Sequence, residues 1–61
     1  MIGVSVILES GRFMQGYIKP EAVIAIQEDP DNRNRCYVLL SSGQDMHIDL
    51  PIEELYKSIK G

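Results

Sequence analysis

Two Ser-Gly pairs, Ser10-Gly11 and Ser42-Gly43, each interrupt a run in which every second residue is apolar. A two-residue period marks a strand with one buried face. A glycine at the break supplies the left-handed residue that a three-residue hairpin loop requires. The chain is thereby committed to two β-hairpins. With Ser41-Ser42-Gly43 as the loop, Leu40 faces Gln44, Val38 faces Met46 and Cys36 faces Ile48. Cys36, Val38, Leu40, Met46, Ile48 and Leu50 then share one face, and Asp45, His47 and Asp49 point the other way. With Glu9-Ser10-Gly11 as the loop, Leu8 faces Arg12, Val6 faces Met14, Val4 faces Gly16 and Ile2 faces Ile18. A slip of one residue would exchange the faces, so the apolar pattern sets the register.

Lys19-Pro20-Glu21-Ala22 breaks the second strand as a turn or a single helical turn. Val23-Ile24-Ala25-Ile26 is continuously apolar and rich in β-branched residues, which favours a strand apolar on both faces. Gln27 to Asn34 is polar and turn-rich, the longest loop in the chain. After Leu50, Pro51 suits the first position of a helix, Glu53 and Glu54 sit near its positive end, and Lys57 and Lys60 near its negative end. Ile52, Leu55, Tyr56 and Ile59 recur at i, i+3, i+4 and i+7, one helical stripe. The expected architecture is mainly β, a small α+β domain spanning 1–61. Strands are expected at about 2–9, 12–18, 23–28, 35–40 and 44–50, with a helix over about 51–60. Five short antiparallel strands form a bent sheet or a small partly open barrel, and the helix closes one end or one face. Leu8 to Met14 and Leu40 to Met46 share L-x-S-G-x-x-M, each followed by a proline, Pro20 or Pro51. Convergent hairpin chemistry and an old duplication both account for this.

Size decides what else the chain needs. Sixty-one residues bury only about 60% of the surface that the unfolded chain exposes. Domains this small usually add disulfides, a metal or a partner subunit. Cys36 is the one cysteine and His47 the one histidine, so neither an internal disulfide nor a Cys/His zinc cluster forms. Oligomerisation remains. One helix covers one face of the sheet, while Ile7, Phe13, Tyr17, Tyr37 and Leu39 fall on the other; burying them in a homodimer or small ring is the expected solution.

Nine acidic against six basic residues give a net charge of −3, which argues against a generic nucleic-acid binder. No apolar run reaches the ~18–20 residues of a membrane span. Met1 to Leu8 lacks the basic start and cleavage site of a signal peptide, so a cytoplasmic protein of bacterial or phage type is expected. Cys36 reads as a small core residue with no histidine nearby. His47, between Asp45 and Asp49, reads as solvated. Glu28, Asp29, Asp31, Asn32 and Asn34 crowd oxygen ligands into one loop, but Arg33 stands where a calcium loop needs glycine and no glutamate closes it. A solvated hairpin tip is expected there. No phosphate-cradling glycine spacing occurs, and Glu53 and Glu54 diverge by about 100° on the helix. The residues point to no catalysis, no cofactor and no metal. Binding is the expected activity, to a protein partner or to a phosphate-bearing ligand or nucleotide. For the second, Arg12, Arg33, Arg35 and Tyr37 combine bidentate donors with an aromatic ring. If the arginines only rim a subunit interface, a protein-interaction adaptor or inhibitor is the result.

A short first strand, a glycine turn at Ser10-Gly11, Ile18 through Ile26 and then Gln27-Glu28-Asp29-Pro30-Asp31 resemble the N-terminal region of the flagellar FlbD (swarming motility) family. The later apolar strand, the Ser42-Gly43 turn and the segment from Pro51 to Ile59 are similar to that family's continuation. The chain departs from it at Asn32-Arg33-Asn34-Arg35, an insertion in the loop, and in having Ser-Gly where the family tends to have Asn-Gly. The resemblance implies a non-enzymatic accessory role in flagellar motility. The last two strands and helix also look like the end of a LytTR-type DNA-binding domain, for which the chain is too short and too acidic. The size and sheet-plus-helix plan are similar to the carbon storage regulator family, without its N-terminal run of arginines.

Overall fold

The computed structural model describes every residue, Met1–Gly61. Its elements are β1 (Ile2–Ile7), β2 (Phe13–Ile18), a single 3₁₀ turn (Pro20–Ala22), β3 (Val23–Glu28), β4 (Cys36–Leu40), β5 (Asp45–Ile48) and α1 (Ile52–Lys60). Both hairpins have the expected three-residue loop and register. The Leu8 N–H donates to the Arg12 carbonyl at 2.8 Å and the Gly11 N–H to the Leu8 carbonyl at 2.8 Å. Leu40, Gln44 and Gly43 repeat the arrangement at 3.0 and 2.9 Å. Gly11 and Gly43 have φ of 87° and 89°, where a side chain is strained, although no atom lies within 4 Å of either absent Cβ. Gly43→Val is therefore a backbone test alone. It is expected to cost about 1–2 kcal/mol in urea denaturation; an unchanged midpoint would mean that the loop can close in another turn.

Strand order in the sheet is β2-β1-β5-β4-β3. The edges belong to two strands that follow each other in the chain. In a flat sheet those edges would be about 19 Å apart, four strand spacings. The five Cα steps from Ile18 to Val23 reach about 17 Å at full extension, and the 3₁₀ turn shortens them. All neighbours in this order are antiparallel, so β2 and β3 run in the same direction and Ile18 and Val23 lie at opposite ends of the sheet. The sheet must curl and its strands tilt for so short a link to join them. The Ser41 N–H, bonded to the Ala22 carbonyl at 2.7 Å, pins the turn to the β4–β5 loop.

Alternation delivers Val4, Val6, Ile18, Cys36, Val38 and Ile48 to the inner face, and Leu55 of α1 completes the buried core. The Cys36 thiol is fully buried, and loss of solvent pushes its pKa up to about 11. The third strand departs from the expectation of two equivalent apolar faces. Val23 pairs with Leu40 but Ala25 with Leu39, a bulge. The extra residue lets both Val23 and Ile26 turn inward onto the core, leaving Ile24 and Ala25 exposed. The helix also differs in detail. Pro51 is the N-cap, with φ −59° and ψ 145°, and not the first helical residue; its carbonyl accepts from the Glu54 and Leu55 N–H groups, both at 3.1 Å. Tyr56 does not join the buried stripe: it is 54% exposed. Leu55 points into the core with Ile52 and Ile59 on either flank, and the tyrosine, one position on, is carried about 100° round the helix to the margin.

Candidate functional site

The residues between the core positions form the outer face of the sheet. Two rows cross it. Ile7 pairs with Phe13, Tyr37 with His47 and Gln27 with Tyr37, and the Val6–Ile48 pair joins the halves by setting Ile7 beside His47. In the next row Ser5 pairs with Gln15, the Asp49 N–H bonds to the Ser5 carbonyl at 2.9 Å, and the Asp29 N–H bonds to the Arg35 carbonyl at 3.1 Å. The first row is aromatic and the second polar.

Cross-strand neighbours lie close enough for side chains to interact directly. Tyr37 and His47 use this: their rings stack with centroids 4.3 Å apart and planes 8° from parallel. The His47 Nε2 lies 2.8 Å from Asp29 Oδ2, so this nitrogen carries the hydrogen and the carboxylate accepts it. Asp29 is itself buried, and its Oδ1 accepts the Asp31 N–H at 2.9 Å. Asn32 repeats that turn by accepting the Asn34 N–H at 2.9 Å. The loop is thus folded on itself and tied to β5, with both Asp29 oxygens engaged. The tip itself, Pro30, Asp31, Arg33 and Asn34, is exposed as expected, but Asp29 at its base is buried, and His47, expected to be solvated, is half-buried against it. The pattern of residues could not show it, because the contact between residues 29 and 47 depends on how β3 and β4 close.

The Asp31 N–H, then His47 and the Arg35 charge, hold the Asp29 carboxyl below its ordinary 3.8, against the opposing effect of burial. A depressed folded pKa stabilises the fold fully above the unfolded value and loses that contribution as pH falls through the lower folded value. The expected result is a melting temperature that falls below about pH 3.8, more steeply than in Asp29→Asn, whose side chain cannot ionise. Parallel acid limbs for the two proteins would remove Asp29 from this role.

Of the residues expected at an interface, Phe13, Tyr17 and Tyr37 are 56, 66 and 40% exposed, and Ile7 and Leu39 are half-buried. All five lie on this one face. Tyr17 lies along the sheet, its ring 3.3 Å from where a Cβ on Gly3 would stand. The residues expected to hold a phosphate are more scattered. Arg35 Nε sits 3.5 Å from Asp49 Oδ1, with its guanidinium carbon 5.9 Å from the Phe13 ring centre. Arg12 is on the β1–β2 loop and Arg33 on the β3–β4 loop. Because β1 and β4 both run antiparallel to β5, those loops lie at opposite ends of the sheet. Within one chain the three arginines do not converge. A hollow of about 150 Å³ bounded by Ala25, Gln27, Tyr37, Leu39 and Asp45 is well below the ~300 Å³ at which small-molecule pockets begin. No three His, Cys, Asp or Glu side chains come together, and no helix is long and apolar enough to cross a membrane. Comparison with family models, with curated proteins and with solved structures finds no match to this chain.

Proposed function

We propose that this chain is a non-enzymatic homo-oligomeric binding protein, a protein-interaction adaptor or inhibitor of bacterial or phage type acting in the cytoplasm. The observation that carries the reading is the outer face. Three exposed aromatics, Phe13, Tyr17 and Tyr37, stand beside the Arg35–Asp49 pair, the aromatic centre and charged margin typical of contact surfaces. Two further observations favour binding over chemistry. The His47 Nε2 and ring face are already occupied by Asp29 and Tyr37, and the Cys36 thiol is buried with its pKa raised, opposite to an activated nucleophile. The likeness to the FlbD family offers flagellar motility as one setting for such a protein. Sedimentation equilibrium is expected to give a dimer or small ring at micromolar concentration; a folded monomer would count against self-association.

A second reading, a phosphate-bearing ligand or nucleotide held between subunits, draws on Arg35 beside Phe13 and Tyr37. A second copy would have to bring Arg12 or Arg33 to the same place. Calorimetric titration of mono-, di- and cyclic nucleotides tests it. Binding that Arg35→Ala weakens at least about tenfold, with the oligomer intact, supports it, since a charged hydrogen bond contributes ~1.5–3 kcal/mol. Flat titrations across the panel remove it.

A further inference from the structure

The two open edges of the sheet are unlike. β3 carries a bulge and ends in Glu28, devices that discourage pairing at an edge. β2 has neither: it contains no charge and no proline, and it pairs with β1 in unbroken register along its length. Phe13, Met14 and Tyr17 on this strand are each more than half exposed. The Leu8 N–H to Arg12 carbonyl bond fixes which residues bond to β1. By the alternation of antiparallel ladders these are Met14, Gly16 and Ile18. The N–H and C=O groups of Phe13, Gln15 and Tyr17 therefore point away from β1 into the open edge.

We propose that a second copy of this chain occupies that edge, β2 against β2, antiparallel about a twofold axis through Gln15. The two sheets then become one continuous sheet. In this register Phe13 of each copy lies opposite Tyr17 of the other on the outer face, and Met14 lies opposite Gly16 on the inner face, large against small. Gln15 faces its own copy, where two amides can bond. Lys19 comes opposite Gly11, near Glu9 on the other copy's hairpin loop, with opposite charge. The smallest slip that keeps the bonds is two residues. It sets Phe13 against Gln15 or against Lys19 and breaks both aromatic pairs, so the side chains select one register. The inference rests on the self-association proposed above and specifies its seam: Phe13 and Tyr17 are covered, while Tyr37 and Leu39 stay open to a further partner.

Gln15 is exposed, so charge can be placed there without entering the core. Sedimentation velocity is compared for the wild type, Gln15→Glu, Gln15→Lys, an equimolar mixture of those two, and Tyr37→Ser. Each charge variant alone sets like charges together at the axis and loses the amide pair. Its dimer dissociation constant is expected to rise at least about tenfold, and the mixture is expected to recover wild-type association. Charge variants that associate as the wild type does would overturn the edge seam, as would weakening that mixing fails to restore. If Tyr37→Ser alone then abolished association, self-association would stand with its seam on the face. A wild type that stays monomeric at millimolar concentration overturns both the seam and the self-association.

Discussion

Ile48→Ala is expected to leave most of the chain unfolded under conditions where the wild type is folded. Ile48 has no solvent exposure and sits in β5, the one strand that holds the β1–β2 hairpin to β4 and β3. It pairs with Val6 on one side and Cys36 on the other. Truncating a buried isoleucine costs ~2–5 kcal/mol through lost transfer energy and the cavity left behind. A domain of this size rarely draws more than about 3–5 kcal/mol from its core. The β1–β5 seam is the narrowest in the sheet, one ladder pair plus the bond from Asp49 to Ser5, so little else there offsets the loss. Circular dichroism along a urea gradient measures it; a midpoint within experimental error of wild type would show that Ile48 is not a keystone.

Leu55→Ala is expected to cost a comparable ~2–5 kcal/mol by a different route. Leu55 is the only fully buried residue of α1, and Ile52 and Ile59 pack around it from half-exposed positions. A nine-residue helix is too short to persist by propensity alone; isolated helices below about 12–15 residues are marginal in water. Without Leu55 the helix loses its anchor, and the buried cluster that Leu55 completes is opened to water. The expected signature is an early loss of the helical band, with hydrogen exchange faster across Ile52–Lys60 than across β1 and β2. Unfolding of helix and sheet in a single step with unchanged midpoint would contradict it.

The contrast between these two sites shows what the residues alone convey. The hairpins were legible because a positive-φ glycine and a period of two are both local: Gly11 and Gly43 set the loops, and the apolar alternation set which face each residue takes. Those same facts put Ile7, Phe13, Tyr17, Tyr37 and Leu39 on one surface. What depended on distant closure was not legible. Strand order follows from β5 lying beside β1, joined by the Val6–Ile48 pair, which no local pattern announces. The bulge at Ile24–Ala25 hides in a run where every residue is apolar, so a shift of register leaves no trace in the composition. The position of Asp29 against His47 likewise depends on how β3, β4 and β5 come together, so a part-buried, hydrogen-bonded pair reads in the sequence as two solvated side chains. Tyr56 at the margin of the helical stripe is a simpler case: an i+4 position fits a stripe that the sheet is too small to cover.

Whether the outer aromatic face is a contact surface can be measured most directly at Phe13 and Tyr17. A soluble paramagnetic agent relaxes ring protons that water reaches, and a dilution series then reports whether association shields them. The expected result is that both rings are relaxed strongly in the dilute monomer and become protected as the concentration rises, in step with the oligomer seen by sedimentation. Rings as accessible at millimolar as at micromolar concentration would contradict it.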